Sequence, residues 1–192
     1  MTAILQQLCA HDVAPQPWKN GGGRTRELLT WPGPQDWWLR ISVADIEQDG
    51  PFSPYPGVDR WFGVLEGAGV ELTWPQAVRR LHAGHSLLHF DGASAPDCRL
   101  LDGTTRDLNV MHRRGLGRIV VQRAQAQSAP PEGFGHFALF NLEALDVQRT
   151  GRPALHAAPW SLTWGEGAGC WTEVPADGHA WWIGFDEHGA AA

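Results

Sequence analysis

The chain contains almost no lysine and few cysteines. Lys19 is the single lysine among 15 lysine and arginine residues, and only three cysteines occur in 192 residues. Because Cys9, Cys98 and Cys170 are odd in number and widely spaced, they predict reduced thiols rather than a disulfide framework, and they form no CxxC metal pair.

Long apolar runs and a surplus of positive charge are also missing. No run approaches the ~20 residues that span a bilayer, and the first ten residues lack the features of a signal peptide. A formal net charge of -6 argues against a nucleic-acid partner, which would require a basic patch. We therefore expect a cytoplasmic protein with no membrane or nucleic-acid partner. A hydrophobic content of 43% and eleven tryptophans indicate an ample globular core.

Short alternating segments dominate the chain and predict strands. Glycine and proline interrupt them every ~8 to 12 residues, which is typical of antiparallel sandwiches and barrels with few helices. The predicted strands cover 25–29, 37–44, 60–65, 70–74, 86–90, 99–101, 107–111, 118–122, 136–142, 161–164, 170–174 and 180–185.

The domain organisation suggested by the sequence is a first unit at 1–123, a linker at 124–133 and a smaller unit at 134–192. The linker prediction depends on the adjacent prolines and small residues of 128–133. A short internal similarity supports two units. Residues 65–67 and 81–84 resemble residues 142–144 and 155–158, at nearly the same spacing.

The segment 17–24, Pro-Trp-Lys-Asn-Gly-Gly-Gly-Arg, is the first candidate for a binding site. Three glycines let backbone approach a ligand closely, and Lys19 supplies a compact positive charge. A plain surface turn is the competing interpretation, because glycine clusters usually mark loops.

Two predicted strands place polar side chains on one face. In 37–44 the period of two sets Arg40 and Ser42 opposite a core face, and in 107–111 it separates Asn109 and Met111 from Leu108. If the polar faces line a barrel interior, Arg40 needs an anion, because an unpaired buried charge costs several kcal/mol. An exposed sheet face remains the alternative.

Arg60 begins another predicted strand, and Asn109 carries both a donor and an acceptor. A surface ion pair of Arg60 with a nearby aspartate is the competing interpretation. His82, His85 and His89 lie close in sequence, but the pleat separates His82 from the other two, so we predict no metal site. No nucleophile elbow, Walker loop or HExxH helix occurs.

Five segments together resemble the HutD/Ves family: 17–27, 40–44, 49–53, 65–67 and 107–111. The resemblance covers about residues 14 to 115. It implies a bicupin, with two cupin-type antiparallel β-barrels in one chain, often assembled as a homodimer. In the HutD branch it implies histidine utilisation and binding of an acidic metabolite such as formylglutamate. The Ves branch is linked to cold and stress responses.

Many cupins bind a metal through a His-x-His pair, a glutamate and a later histidine. This sequence has 53–56, Ser-Pro-Tyr-Pro, and 95–98, Ala-Pro-Asp-Cys, at those positions. The departure argues against a metal oxygenase or isomerase.

The leading hypothesis is therefore a bicupin that binds a small carboxylate metabolite, resembling formylglutamate or urocanate, without metal, cofactor or catalytic residues, in a regulatory or accessory role. The expected ligand-binding residues are Trp18, Lys19, Asn20, Arg40, Ser42, Arg60, Phe90, Asn109 and Met111. One alternative is a metal-independent enzyme acting on an amino-acid or sugar derivative, with Lys19 or a histidine in acid/base work. Another is a stress-related protein-binding module with Trp181 and Trp182 at an interface.

Overall fold

The computed structural model describes residues 5–125, 129–149, 151–166 and 179–187. These residues form seventeen β-strands and one 3-10 helix, Ala10–Asp12, which confirms an all-β protein with few short helices. The strands are β1 (Leu5–Cys9), β2 (Gln16–Pro17), β3 (Gly23–Trp31), β4 (Leu39–Ile46), β5 (Gly50–Pro51), β6 (Val58–Glu66), β7 (Val70–Trp74), β8 (Ala77–Leu81), β9 (Leu88–Asp91), β10 (Asp97–Leu100), β11 (Thr105–Arg113), β12 (Gly117–Arg123), β13 (His136–Asn141), β14 (Leu145–Arg149), β15 (Arg152–Ala157), β16 (Ser161–Glu166) and β17 (Ala180–Glu187).

The chain forms two compact units with boundaries other than those expected. One unit is Val13–Arg114, and the other combines Met1–Asp12 with Gly115–Ala192. The reason is strand pairing, since β1 pairs with β16 and β12 pairs with β17, which satisfies their backbone groups in the second unit. The expected boundary at residue 123 would instead place both strands in the first unit.

The expected linker at 124–133 begins with an ordered, buried residue. Ala124 is 2% exposed, and its N–H donates a hydrogen bond to the Ala180 carbonyl at 2.8 Å. Residues 126–128 of the expected linker, and the strand expected at 170–174, lie outside the described residues.

The Val13–Arg114 unit contains two antiparallel sheets. The six-stranded sheet has the order β2-β3-β4-β11-β6-β9, and the four-stranded sheet has the order β5-β10-β7-β8. A cluster of buried side chains joins them, including Phe62 and Val64 from β6 and Leu72 from β7. Leu72 alternates on β7 with the half-buried Glu71 and the exposed Thr73, whereas Gly63 and Leu65 on the other face of β6 are buried as well.

The other unit contains a five-stranded antiparallel sheet of order β1-β16-β13-β17-β12 and a β14-β15 hairpin. Its core includes Leu139 from β13, Val147 from β14 and Trp182 from β17.

The two closed barrels expected from the resemblance are not confirmed. Within the described residues, the strand order of each sheet ends at two unpaired edges, so no sheet closes into a barrel. The pairing gives open, packed antiparallel sheets instead. No helix in the described part of the chain is long and apolar enough to cross a bilayer.

Candidate ligand-binding cavity

A cavity of about 490 Å³ opens in the Val13–Arg114 unit. Its wall is built by the pocket-facing side chains of β3, β4, β6 and β11, by the β2–β3 loop and by residues around β5. The lining residues are Gln16, Pro17, Trp18, Lys19, Asn20, Thr25, Glu27, Arg40, Ser42, Ala44, Pro51, Phe52, Ser53, Tyr55, Arg60, Asn109 and Met111.

Strand register places two arginines in one row across the six-stranded sheet. Met111 on β11 faces Arg40 on β4 and Arg60 on β6, and Arg60 faces Phe90 on β9. Because neighbouring strands lie about 4.8 Å apart, the Cα atoms of Arg40 and Arg60 are roughly 10 Å apart. The next row places Ser42 beside Asn109. The sheet therefore presents two guanidinium groups with hydrogen-bonding side chains between them.

Arg60 is held at the base of the cavity. Its Nε and Nη2 donate hydrogen bonds to Asn109 Oδ1 at 2.8 and 2.5 Å, and its guanidinium carbon lies 4.3 Å from the Phe52 ring centroid. Burial lowers the pKa of Arg60 to about 10, with Asp107 and Tyr55 partly opposing that change. Arg60 therefore keeps its charge at neutral pH, at a cost in desolvation that its neutral partner Asn109 does not offset.

Arg40 is partly buried on the opposite side of Met111. Its Nη2 lies 3.1 Å from Met111 Sδ and 3.5 Å from Tyr55 Oη, and its Nη1 lies 3.5 Å from Glu27 Oε1. Its Nε is buried without a hydrogen-bond partner in the described part of the chain. Two weak neutral contacts and one long ion pair leave hydrogen-bonding capacity on this guanidinium.

The β2–β3 loop forms the cavity wall that carries Trp18. The Trp18 N–H donates to the Gly23 carbonyl at 2.9 Å, and the Gly21 N–H donates to the Trp18 carbonyl at 3.0 Å. The indole Nε1 donates to Thr25 Oγ1 at 2.7 Å. Gly21 has φ 72°, a conformation that glycine adopts without strain. The triple glycine therefore serves a tight turn that fixes the Trp18 ring.

Lys19 and Asn20 are exposed at the tip of the same loop. Asn20 Oδ1 accepts a hydrogen bond from the Gly22 N–H at 3.1 Å, so this side chain stabilises the turn. Lys19 lines the cavity with its charge in solvent.

Eight of the nine expected binding residues line this cavity: Trp18, Lys19, Asn20, Arg40, Ser42, Arg60, Asn109 and Met111. Phe90 is not among the lining residues. It contacts Arg60, with the guanidinium carbon 5.6 Å from its ring centroid, and its expected role in ligand binding stays a prediction.

Sequence analysis missed Glu27, Tyr55 and Phe52 in this cavity. Glu27 lies opposite Ser42, and a β-bulge between Glu27 and Leu29 sets that pairing. Tyr55 and Phe52 lie in the proline-rich segment around β5, where alternation gives no signal. Glu27 could have been found from its position, because it is an acidic residue within a predicted strand that follows a glycine-rich turn.

The cavity does not fit the metal site of many cupins. Its charged groups are Lys19, Arg40 and Arg60 against the one carboxylate of Glu27, with no histidine or cysteine in the lining. Such a donor set adds positive charge where a metal requires anionic or imidazole ligands. Elsewhere among the described residues, no group of three or more His, Cys, Asp or Glu side chains could hold a metal ion.

Comparison with known proteins shows the family of this chain. The family model described as HutD matches residues 10–179. The chain belongs to the HutD family. The resemblance to HutD and Ves seen in the sequence is thereby confirmed.

Curated relatives of this HutD-family protein match over little more than half of the chain. An uncharacterized 21.2 kDa protein in the hutC 3' region of Pseudomonas putida is 38% identical over 110 residues, or 56% of this chain. Protein Ves of Citrobacter koseri is 38% identical over 108 residues, or 54% of this chain. The alignments cover 58% and 56% of those relatives, so the chain matches little more than half of their length.

Solved structures match over nearly the whole chain. A conserved protein of unknown function from Pseudomonas aeruginosa PAO1 has a TM-score of 0.84 at 27% identity, covering 96% of this chain and 100% of that one. HutD from Pseudomonas fluorescens SBW25, in a formate condition, has a TM-score of 0.82 at 26% identity, covering 97% and 100%. A nickel-bound pirin from Escherichia coli has a TM-score of 0.60 at 10% identity, covers 94% of this chain and 98% of that one, and shares the cupin-like fold alone.

Proposed function

We propose that this HutD-family protein binds a small acidic metabolite in the cavity, without a metal, as a regulatory or accessory component of histidine utilisation. The observation that supports this most directly is the pair of arginines, Arg40 and Arg60, that face one cavity from strands on either side of β11.

The charge balance of the cavity favours an anionic ligand. Three cations face a single carboxylate, Glu27, which lies 3.5 Å from Arg40, whereas Arg60 donates its hydrogen bonds to the neutral side chain of Asn109. A carboxylate ligand would offset the desolvation of Arg60 and could accept two parallel hydrogen bonds from a guanidinium. A volume of about 490 Å³ is within the roughly 300–1,000 Å³ of small-molecule sites.

The family relation supplies the pathway for this proposal. HutD itself and the relative in the hutC 3' region connect the chain to histidine utilisation. Formylglutamate, urocanate and glutamate are carboxylates of suitable size, and we expect dissociation constants between about 1 μM and about 1 mM.

Titration calorimetry of the purified protein against these three acids tests the proposal. Arg60→Gln should weaken binding about 10- to 100-fold, because hydrogen bonds to charged groups contribute about 1.5–3 kcal/mol. Arg79→Gln is the matched control, since Arg79 is exposed on β8 and does not line the cavity. No heat with any of the acids would refute the proposal.

Acid/base catalysis by Lys19 has less support. A lysine that acts as a general base needs a poorly solvated ammonium group, and Lys19 is exposed. Turnover of the same acids, followed by mass spectrometry and abolished by Lys19→Met, would reverse this preference.

The finer architecture proposed here is a duplicated bicupin that forms a homodimer. The two units of the chain and the cupin-like structural relatives support the duplication, and the homodimer is an expectation from the family resemblance. A monomeric mass in light scattering would refute the dimer.

A further inference from the structure

Three polar side chains form a connected line from the cavity into the core. Arg60 donates from Nε and Nη2 to Asn109 Oδ1 at 2.8 and 2.5 Å, and Asn109 Nδ2 donates to Asp107 Oδ1. Asn109 is 5% exposed and Asp107 is fully buried. Arg60 and Asn109 line the cavity, whereas Asp107 lies behind them.

The orientation of the Asn109 amide is fixed from both ends. A guanidinium has only N–H donors, so the Asn109 atom that faces Arg60 must be the carbonyl oxygen. The amide nitrogen then points away from the cavity and needs an acceptor, which Asp107 Oδ1 provides. Without that acceptor, a buried N–H would lose its partner and the amide could turn over.

The surroundings of Asp107 favour its neutral form. Its Oδ2 is buried without a hydrogen-bond partner among the described residues. The charged and titratable groups that act on it are Arg60 from β6, Asp45 from β4 and Cys98 from β10. Burial raises the pKa of Asp107 well above its usual range, Asp45 raises it further, and Arg60 and the Asn109 amide oppose that rise.

We propose that Asp107 is a proton-dependent positioning residue for the anion site. As a neutral acid it holds Asn109 against Arg60 and leaves the charge of Arg60 available to the ligand, whereas ionised Asp107 competes with the ligand for that charge. This inference rests on the proposed binding of an acidic metabolite, and it adds a regulation by pH that the cavity residues alone do not imply.

The direction of the pH dependence follows from linkage. An anion bound at Arg60 repels an ionised Asp107, so ligand binding raises the pKa of Asp107 above its value in the free protein. Affinity is therefore greatest below the free-state pKa and falls as pH rises through it. A ten-fold loss corresponds to a difference of about one pKa unit between the free and bound states.

The test is the pH profile of formylglutamate binding, measured by calorimetry from about pH 5.5 to about pH 8.5, where the ligand carboxylates stay ionised. Arg60, with a pKa of about 10, and Cys98, with a pKa raised to about 12, keep their protons over this range. The wild type should lose about ten-fold in affinity with rising pH.

Variants at position 107 distinguish the effect of the Asp107 hydrogen bond to Asn109 from the effect of the Asp107 charge. Asp107→Asn keeps an acceptor for Asn109 but cannot ionise, so it should bind at the low-pH affinity of the wild type across the whole range. Asp107→Leu removes the acceptor and should bind more weakly at every pH. Asp97→Asn, at an exposed position on β10, is the control and should retain the wild-type profile.

A second measurement does not require the ligand. The infrared difference spectrum between wild type and Asp107→Asn, with ¹³C-labelled aspartate, should contain the C=O band of a protonated carboxyl at neutral pH. Absence of that band, or an Asp107→Asn profile identical to that of the wild type, would overturn the inference while leaving anion binding intact. If the wild type binds none of the acids, both the proposed function and its regulation by pH fail. The infrared band would still establish that Asp107 is protonated.

Discussion

Substituting Gly23 tests how the cavity wall is built. Gly23 begins β3, and a Cβ added there would lie 2.3 Å from the Asp45 carbonyl oxygen and 3.2 Å from two ring carbons of Trp18. The first distance is about 1 Å inside normal van der Waals contact. Since the obstructing atom is backbone in the paired strand β4, no rotamer change relieves the clash, and the strands or the Trp18 loop must move.

Gly23→Ala should therefore lower the free energy of unfolding by about 2–3 kcal/mol, the upper part of the usual range for overpacking. Alanine substitutions at two other glycines serve as controls that distinguish the clash at Gly23 from ordinary backbone effects. Gly21 has φ +72° and free space around it, so Gly21→Ala should cost only about 1 kcal/mol of left-handed strain. Gly33 has free space and no positive φ, so Gly33→Ala should lie within about 0.5 kcal/mol of wild type.

Urea unfolding, followed by tryptophan fluorescence and far-UV circular dichroism, gives the three values. Calorimetry with formylglutamate adds a functional measurement, because movement of Trp18 should weaken binding in Gly23→Ala and leave Gly33→Ala unchanged. Equal stabilities for Gly23→Ala and Gly33→Ala would refute this account of the cavity wall.

Three further predictions concern buried polar groups. Burial raises the pKa of Asp45, but hydrogen bonds from Arg106 and Arg26 at 2.6 and 2.7 Å outweigh it and hold the pKa below its ordinary value. Asp45→Asn should thus lower the free energy of unfolding by about 3 kcal/mol at neutral pH. The difference from wild type should shrink as pH falls through the pKa of Asp45 in the native protein. Urea titrations that give the same difference at every pH would contradict this prediction. Arg60→Gln should leave the free energy of unfolding within about 1 kcal/mol of wild type, because the substitution removes a desolvated charge together with its contacts. A loss above about 3 kcal/mol would contradict this prediction. Cys98 is 3% exposed and burial raises its pKa to about 12, so peptide mapping after iodoacetamide treatment should find it unmodified in native protein and modified in urea.

Much of the cavity was predictable because the pleat of a strand is a local property. Period two alone separated Arg40 and Ser42 from the core face of β4, and Asn109 and Met111 from the core face of β11. The structure brings these faces together in one sheet. Whether they bind a ligand stays a prediction.

Pairing between distant segments was not predictable in the same way. The bulge between Glu27 and Leu29 sets which residue of β3 faces Ser42, and no pattern within either strand encodes that register. Similarly, β1 satisfies its backbone by pairing with β16, some 150 residues later in the chain. Closure of a sheet into a barrel likewise depends on pairing between edge strands, which no pattern within one strand encodes.

The order of residues along the chain by itself determined the all-β class, the family and the polar faces of β4 and β11, because alternation and turn residues act over a few neighbours. Only the tertiary structure decided that Arg40 and Arg60 flank Met111, that Glu27 joins them and that Asp107 lies behind Asn109. Those relations depend on sheet register and burial, which arise when strands far apart in sequence pair and exclude water.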